Sequence, residues 1–354
     1  MASSAAYARS RARVVRICDS AGDARTLRLQ LVAEIRQVVG FEAYAWLLTD
    51  PETSVGSSPL ADVPCLPELP RLIRLKYLTE VNRWTTLSAA SVGLLREATG
   101  GELSRSLLWR ELLRRYGIGD VASSVFRDRF GCWGFLDLWR SGSVAAFSQD
   151  EGAFLTGIVE PVTMALRRCQ ANTFIVGAPH HPRRLGPGVL LLSPDIEVRG
   201  QTTETQEYLR VLVPPAEGRA PIPASAYNVA AQLLAVEADV DQNPPLARVH
   251  LSDGLWVTLR AARIGDATSS GARDIAVTIE ETSPIERVAL FARAFGLSER
   301  ESELLRHLAT GTDTRELARR MFLSEHTVQD HLKSIFAKTS AHNRRTVLSR
   351  ALGS

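Results

Sequence analysis

Between Ser298 and Ser324 the chain carries three helix starts in close succession, and no other stretch of it restricts the fold so tightly. Ser298 with Glu301, and Asp313 with Glu316, each set a cap oxygen three residues ahead of a carboxylate. At that spacing the two side chains can satisfy free N–H groups at a helix N-terminus. Ser324 supplies the third cap. The segment "TRELARRMFLS" joins the second helix to the third, with Leu317, Ala318 and Met321 facing inward and only "FLS" between the helices. Ala318 is small where two helices would cross closely.

A turn that short, with those caps, predicts a helix-turn-helix. At 100° per residue the third helix, "SEHTVQDHLKSIF", turns Val328, Leu332 and Ile335 to one buried stripe, flanked by His331 and Phe336. His326, Asp330, Lys333 and Ala337 then point outward, with Gln329 and Ser334 at the margins. Gln can bond adenine N6 and N7, Lys can reach guanine O6 or N7, and Asp can accept from cytosine N4–H in the major groove. Thr327 and the helix N-terminus can hold phosphate. His331, His307 and His342 read as structural side chains.

Charge points to the same segment. Residues 284–354 hold twelve Lys and Arg against eight Asp and Glu, whereas the whole chain carries only +3, so the remaining residues sum to −1. A basic end on a neutral body suits nucleic acid.

Ahead of it, a chain of 354 residues with 45% hydrophobic and 23% charged side chains predicts a multidomain globular protein. Residues 1–23 read as an N-terminal extension and 24–176 as a first α+β domain. That domain has a helix from "TLRLQLVAEIRQVVG", a strand "EAYAWLLT", a loop through "PETSVGSSPLADVPCLPELP", and helices "RLIRLKYLTEV" and "SRSLLWRELLRRYG". Strands "DVASSVFRD" and "CWGFLDLWR" follow, then a closing helix capped by Ser148 and Glu151. The Pro- and Gly-rich "GAPHHPRRLGPG" marks a boundary. Residues 186–283 read as a second α+β domain with loops at "VPPAEGRAPIP" and "DATSSGA", and 284–296 as a connector helix. No internal repeat is visible.

From Leu297 to Leu352 the sequence resembles the LuxR-type helix-turn-helix. It has an acid in the first helix (Glu301), a closing Gly311, the "[K/R]-E-[I/L]-A" pattern at Arg315 to Ala318, and "LS-x-x-T-V-x-x-H" at Leu323 to His331. The resemblance implies an all-α DNA-binding domain over 297–354, with Gln329, Asp330 and Lys333 approaching bases. It also implies a dimer contact from the last helix, around Arg344 to Ala351. Together these considerations assign His326, Thr327, Gln329, Asp330, Lys333, Ser334, Lys338 and Arg344 to DNA binding. Gln329 stands where a lysine is common, and "KTSA" (338–341) departs from the usual motif, which bears on the operator rather than the fold. The first domain resembles a GAF domain through "GCWGFLDLWRSGSVAAFSQDEGAFLTGIVEPVTMALRR", with "F-[ST]-x-[DE]" at Phe147 to Asp150 and "VVGFEAYAWLLTD" at its start. The second is PAS-like in element order. With "GGELSRSLLWREL" and "HTVQDHLKSIFAKT", the whole is similar to actinobacterial LuxR-family regulators with a GAF-like front.

Strand alternation places Trp133, Phe135, Asp137 and Trp139 on one side of 132–139, where with Trp46 they could line an apolar ligand pocket holding one orienting acid. The alternative is a set of core aromatics with Asp137 paired to an arginine. Cys18, Cys65, Cys132 and Cys169 lie far apart without C-x-x-C spacing and read as reduced core thiols. No phosphate loop, nucleophile elbow, zinc-protease or dinucleotide motif is present, so neither catalysis nor a cofactor or metal is expected. No apolar run nears the roughly 20 residues of a membrane helix, and the arginine-rich start does not suit a signal peptide. The sequence therefore predicts a cytoplasmic, DNA-binding transcriptional regulator. Its expected partners are double-stranded DNA, a second copy of the chain, a small-molecule ligand and RNA polymerase. Two other readings stand beside it: a ligand-binding signalling protein whose tail only oligomerises, and a response-regulator-like protein.

Overall fold

In the computed structural model, which describes residues 3–88, 91–175, 186–212, 223–251, 255–265 and 273–353, the N-terminal stretch is itself helical. Helix α1 (Ser4–Ser20) packs on α2 (Ala24–Arg36), burying Val14 and Cys18. Glu34 of α2 accepts from Ser10 Oγ at 2.6 Å and from Arg13 Nε at 2.9 Å, so α1 is part of the first domain's helical layer.

That domain continues through β1 (Ala43–Thr49), β2 (Gly56–Asp62), α3 (Leu69–Leu78), β3 (Val92–Leu94), α4 (Leu95–Ala98) and α5 (Leu107–Glu111). It closes with β4 (Ile118–Asp128), β5 (Gly131–Ser141) and α6 (Gln149–Asn172). Its sheet has the order β2-β1-β5-β4-β3, with all neighbours antiparallel. Helix α6 starts at the Ser148–Glu151 capping box read from the sequence. Together with α1 and α2 it covers one face of the sheet, and α3 and α5 lie over the other.

Three expectations fail here, each for a physical reason. The loop expected over 51–70 contains β2, whose "GSSPLAD" has poor strand propensity and includes Pro59. An edge strand tolerates proline because one side of its ladder is unpaired, and β2 is an edge. The single helix expected over 104–117 breaks at Leu112 (φ −133°, ψ −63°). Burying both Leu112 and Leu113 turns adjacent residues into the core, which a regular helix cannot do. The expected alternation along 132–139 fails as well. Phe126 pairs with Gly134 but Arg127 with Cys132, so Trp133 is the extra residue of a bulge. It turns into the core under α6 with Trp46 and Phe126, while Phe135 faces the other way.

The second domain is built from β6 (Gly188–Leu192), β7 (Val198–Gln201), α7 (Thr203–Leu212), α8 (Ala224–Glu237), β8 (Leu246–His250), β9 (Trp256–Arg263) and β10 (Ile275–Glu281). Most of the Pro- and Gly-rich break at 177–188, and of the loops at 213–223 and 266–272, lies outside the described residues. Its sheet has the order β7-β6-β10-β9-β8, so each sheet orders its own strands 2-1-5-4-3. The two domains therefore repeat a topology that no sequence repeat announced. Between them, α8 lies against α3 and β2. Asp50 accepts from Arg248 Nε at 2.7 Å and Nη2 at 2.8 Å, Asp241 from Arg83 Nη2 at 2.7 Å, and Leu246 O from Thr53 Oγ1 at 2.6 Å. Both ion pairs are buried.

The rest of the described chain is helical: α9 (Pro284–Ala294), α10 (Glu299–Ala309), α11 (Thr314–Arg320), α12 (Glu325–Thr339) and α13 (Arg344–Leu352). Helix α9 starts at a capping box of Ser283 and Glu286 with Pro284 in its first turn. One side of α9 meets the body. Phe291 packs on Phe174, which stacks on Trp256 with ring centroids 5.2 Å apart, and Arg293 Nη1 donates to Phe130 O at 3.0 Å. Its other side packs against α10 and α13. Gly296 ends the connector at φ 63°, where a Cβ would come within 3.2 Å of the Phe130 ring. Glycine answers both constraints.

Candidate nucleic-acid interface

Helix α12 is seated by its buried stripe and by one acid. Val328, Leu332 and Ile335 are buried against α10 and α11, where Leu304, Leu305, Leu317 and Ala318 receive them. Ser324 caps the helix by accepting from Thr327 N–H at 3.1 Å. Phe322, Leu323 and Ser324 form the predicted turn between α11 and α12. Glu301, on α10, closes its capping box with Ser298. It also accepts from Ser334 Oγ and from Lys338 Nζ, both at 2.6 Å. Burial pushes the Glu301 carboxyl up, but the bonds from Lys338, Ser334 and the Ser298 N–H outweigh it and hold the group at about 2. One carboxylate thus caps α10 and ties α12 to it.

This arrangement divides the sequence-predicted DNA-binding residues into two groups. His326, Gln329, Asp330 and Lys333 lie exposed on the outward face of α12. Ser334 and Lys338 are held by Glu301, Arg344 Nη2 donates to Thr312 O at 2.5 Å, and the Thr327 hydroxyl sits 2.9 Å from Ser324 Oγ within the cap. Within the outward face, Asp330 Oδ1 lies 3.1 Å from Lys333 Nζ and Oδ2 lies 3.5 Å from His326 Nε2. The Lys333 bond, with His326 nearby, lowers the Asp330 carboxyl below its ordinary range. The acid therefore positions two potential base-contacting donors as well as offering an acceptor.

In the body, the five residues proposed for a pocket separate. Phe135 and Asp137 line a cavity of about 230 Å³ bounded by β1, β2, β5, α3 and α8. Trp46 and Trp133 instead pack beneath α6, and Trp139 joins a neighbouring cluster with Cys65 and Leu112. Asp137 pairs with Lys76 Nζ at 2.7 Å, not with an arginine. Sequence reasoning did not reach Lys76, Tyr77 or Asn228 of this cavity, because α3 and α8 lie far apart along the chain. All four cysteines are free and buried.

The family comparison decides what the C-terminal segment is. Residues 296–351 match the model of bacterial regulatory proteins of the luxR family. These residues form a LuxR-family helix-turn-helix domain. Two curated relatives align with it, each 42% identical over 55 residues that cover 16% of this chain and 26% of the relative. They are the probable csgAB operon transcriptional regulatory protein of Salmonella typhimurium and the CsgBAC operon transcriptional regulatory protein of Escherichia coli. The chain thus spans about a quarter of the length of these relatives. A solved structure of Escherichia coli SdiA covers 97% of this chain and 96% of its own at 12% identity, with a TM-score of 0.36, a likeness too loose to bear on the fold. Two features of the LuxR-type domain went unread in the sequence. Phe322 stands 94% exposed in the turn at φ 55°. Arg315, Arg319 and Arg320 are exposed on α11, and Glu316 pairs with the last two rather than closing its own capping box.

Proposed function

We propose that this protein is a DNA-binding transcriptional regulator in which two sensory-type domains, GAF-like and PAS-like, bias a LuxR-type reader through α9. The carrying observation is the outward face of α12, where His326, Gln329, Asp330 and Lys333 stand together and unburied within the LuxR-family segment. In the proposal α12 enters the major groove. Gln329, Asp330 and Lys333 read base edges, while Arg315, Arg319, Arg320 and the capped N-terminus of α12 meet phosphates. Two copies act together on a two-fold operator, the chain works in the cytoplasm beside RNA polymerase, and catalysis is no part of the activity. The shared 2-1-5-4-3 strand order supports placing both body domains in one structural class. The packing of α9 between body and reader supports the coupling. Among the described residues no helix is long and apolar enough to cross a membrane.

The test is binding of the full chain to duplex DNA across a salt series. The proposal predicts that log K falls linearly with log salt, with a slope set by the number of phosphates contacted. Salt-independent association, or none, would contradict it.

A further inference from the structure

The cavity of the first domain has its charge balanced and part of its hydrogen bonding open. Asp137 accepts from Lys76 Nζ at 2.7 Å and from Ser123 Oγ at 2.7 Å, so the only carboxylate in the lining is fully engaged. Asn228 differs. It is 1% exposed, and its Nδ2 donates to Ala224 O at 2.8 Å, which fixes the orientation of the amide and turns Oδ1 toward the cavity. Oδ1 has no hydrogen-bond partner among the described residues. Across Gly56, where a Cβ would meet Asn228 Oδ1 at 3.0 Å and the Tyr77 oxygen at 3.2 Å, the Tyr77 hydroxyl accepts from Gly56 N–H at 2.8 Å and keeps its own proton to donate. A buried acceptor without a donor costs free energy, and a group that accepts from Tyr77 while donating to Asn228 would relieve it. A hydroxyl does both. The remaining wall, including Leu47, Leu72, Ile73 and Phe135, is apolar. An added anion would find no uncompensated cation there.

We propose that this cavity binds a neutral, mostly apolar molecule of roughly a dozen heavy atoms carrying one hydroxyl, held between Tyr77 and Asn228. Tyr77 belongs to α3 in the first domain and Asn228 to α8 in the second, so the ligand touches both domains at once and its occupancy reports on their docking. The proposal deepens the sensory reading above and rests on it only for the regulatory consequence, since binding is measurable without DNA.

The experiment is calorimetric titration of the full chain with three probes of one shape: 4-butylphenol, 4-butylanisole, which lacks the donor, and the 4-butylbenzoate anion. Saturable binding of the phenol is expected, with the anisole and the benzoate each at least about tenfold weaker. Asn228→Leu should bring the phenol to the level of the anisole while leaving the anisole unchanged. Tyr77→Phe, which keeps the ring, should weaken the phenol in the same direction and serves if the first variant does not fold. Equal affinities for phenol and anisole in the native chain, indifference of the phenol to both substitutions, or no saturable binding of any probe would overturn the site. A salt series on DNA with and without the phenol separates the two readings. DNA binding that persists while no probe binds leaves the regulator and removes the site. Phenol binding that leaves DNA affinity unchanged keeps the site and removes its regulatory role.

Discussion

At the scale of single residues, acids do work that a net charge conceals. Asp330 lies on the face proposed to meet a polyanion, yet its neighbours Lys333 and His326 lie within 3.1 and 3.5 Å. An exposed carboxylate repels phosphate and cannot anchor, but it can select. Asp330→Ala should shift the base preference recovered by selection while changing affinity for the best native site by less than about tenfold. Uniform weakening on every sequence would contradict that role. Glu301 acts differently, through stability. Its folded carboxyl, at about 2, lies below the ordinary 4.5. Its contribution is therefore complete above about 4.5 and lost as pH falls toward about 2. Linkage over that interval corresponds to about 3 kcal/mol, which the partial exposure of Lys338 reduces to roughly 2 kcal/mol. Glu301→Gln should lower the melting temperature of the helical segment near neutral pH and flatten its acid dependence between about 4.5 and 2. An unchanged acid profile would remove Glu301 from the seating of α12.

At the scale of elements, what the sequence made legible was local. Ser298, Ser324 and Ser148 cap helices as read, and the Val328, Leu332 and Ile335 stripe is buried, because each depends on residues within a turn or two. The outward face followed by subtraction. What was not legible depends on partners remote in sequence. β2 exists because β1 pairs with it, and Trp133 turns over because β4 and β5 slip register by one. Ser334 and Lys338 carry the composition of a DNA-contacting margin, but Glu301 on another helix engages them. The pocket was misread for the same reason: only Phe135 and Asp137 of five residues reach it, and its remaining polar lining comes from α3 and α8. Docking of the two domains is equally long-range. Asp50 and Arg248 form a buried pair across it, in which Arg248, together with the Glu52 N–H, overcomes burial and holds the Asp50 carboxyl low. Asp50→Ala leaves that guanidinium uncompensated and should cost about 3–5 kcal/mol. The loss should appear in chemical denaturation as an earlier or split transition, and an unchanged midpoint would show that the pair does not hold the domains.

At the scale of the whole molecule, one continuous core runs from α1, α2 and α6 through Phe174, Trp256 and Phe291 into the LuxR-type domain. The body therefore has a direct mechanical route to the reader, and the reader presents one polar face outward. The central claim is that this face reads DNA sequence. Selection by the full chain from a randomised duplex pool, run in parallel with the Gln329→Ala, Lys333→Ala double variant, tests it most directly. The account predicts a defined, two-fold-related motif for the native chain and loss of preference at the read positions in the folded double variant, at about 1–3 kcal/mol per lost base contact. Recovery of no motif by the native chain, or of the same motif with equal enrichment by the double variant, would contradict it.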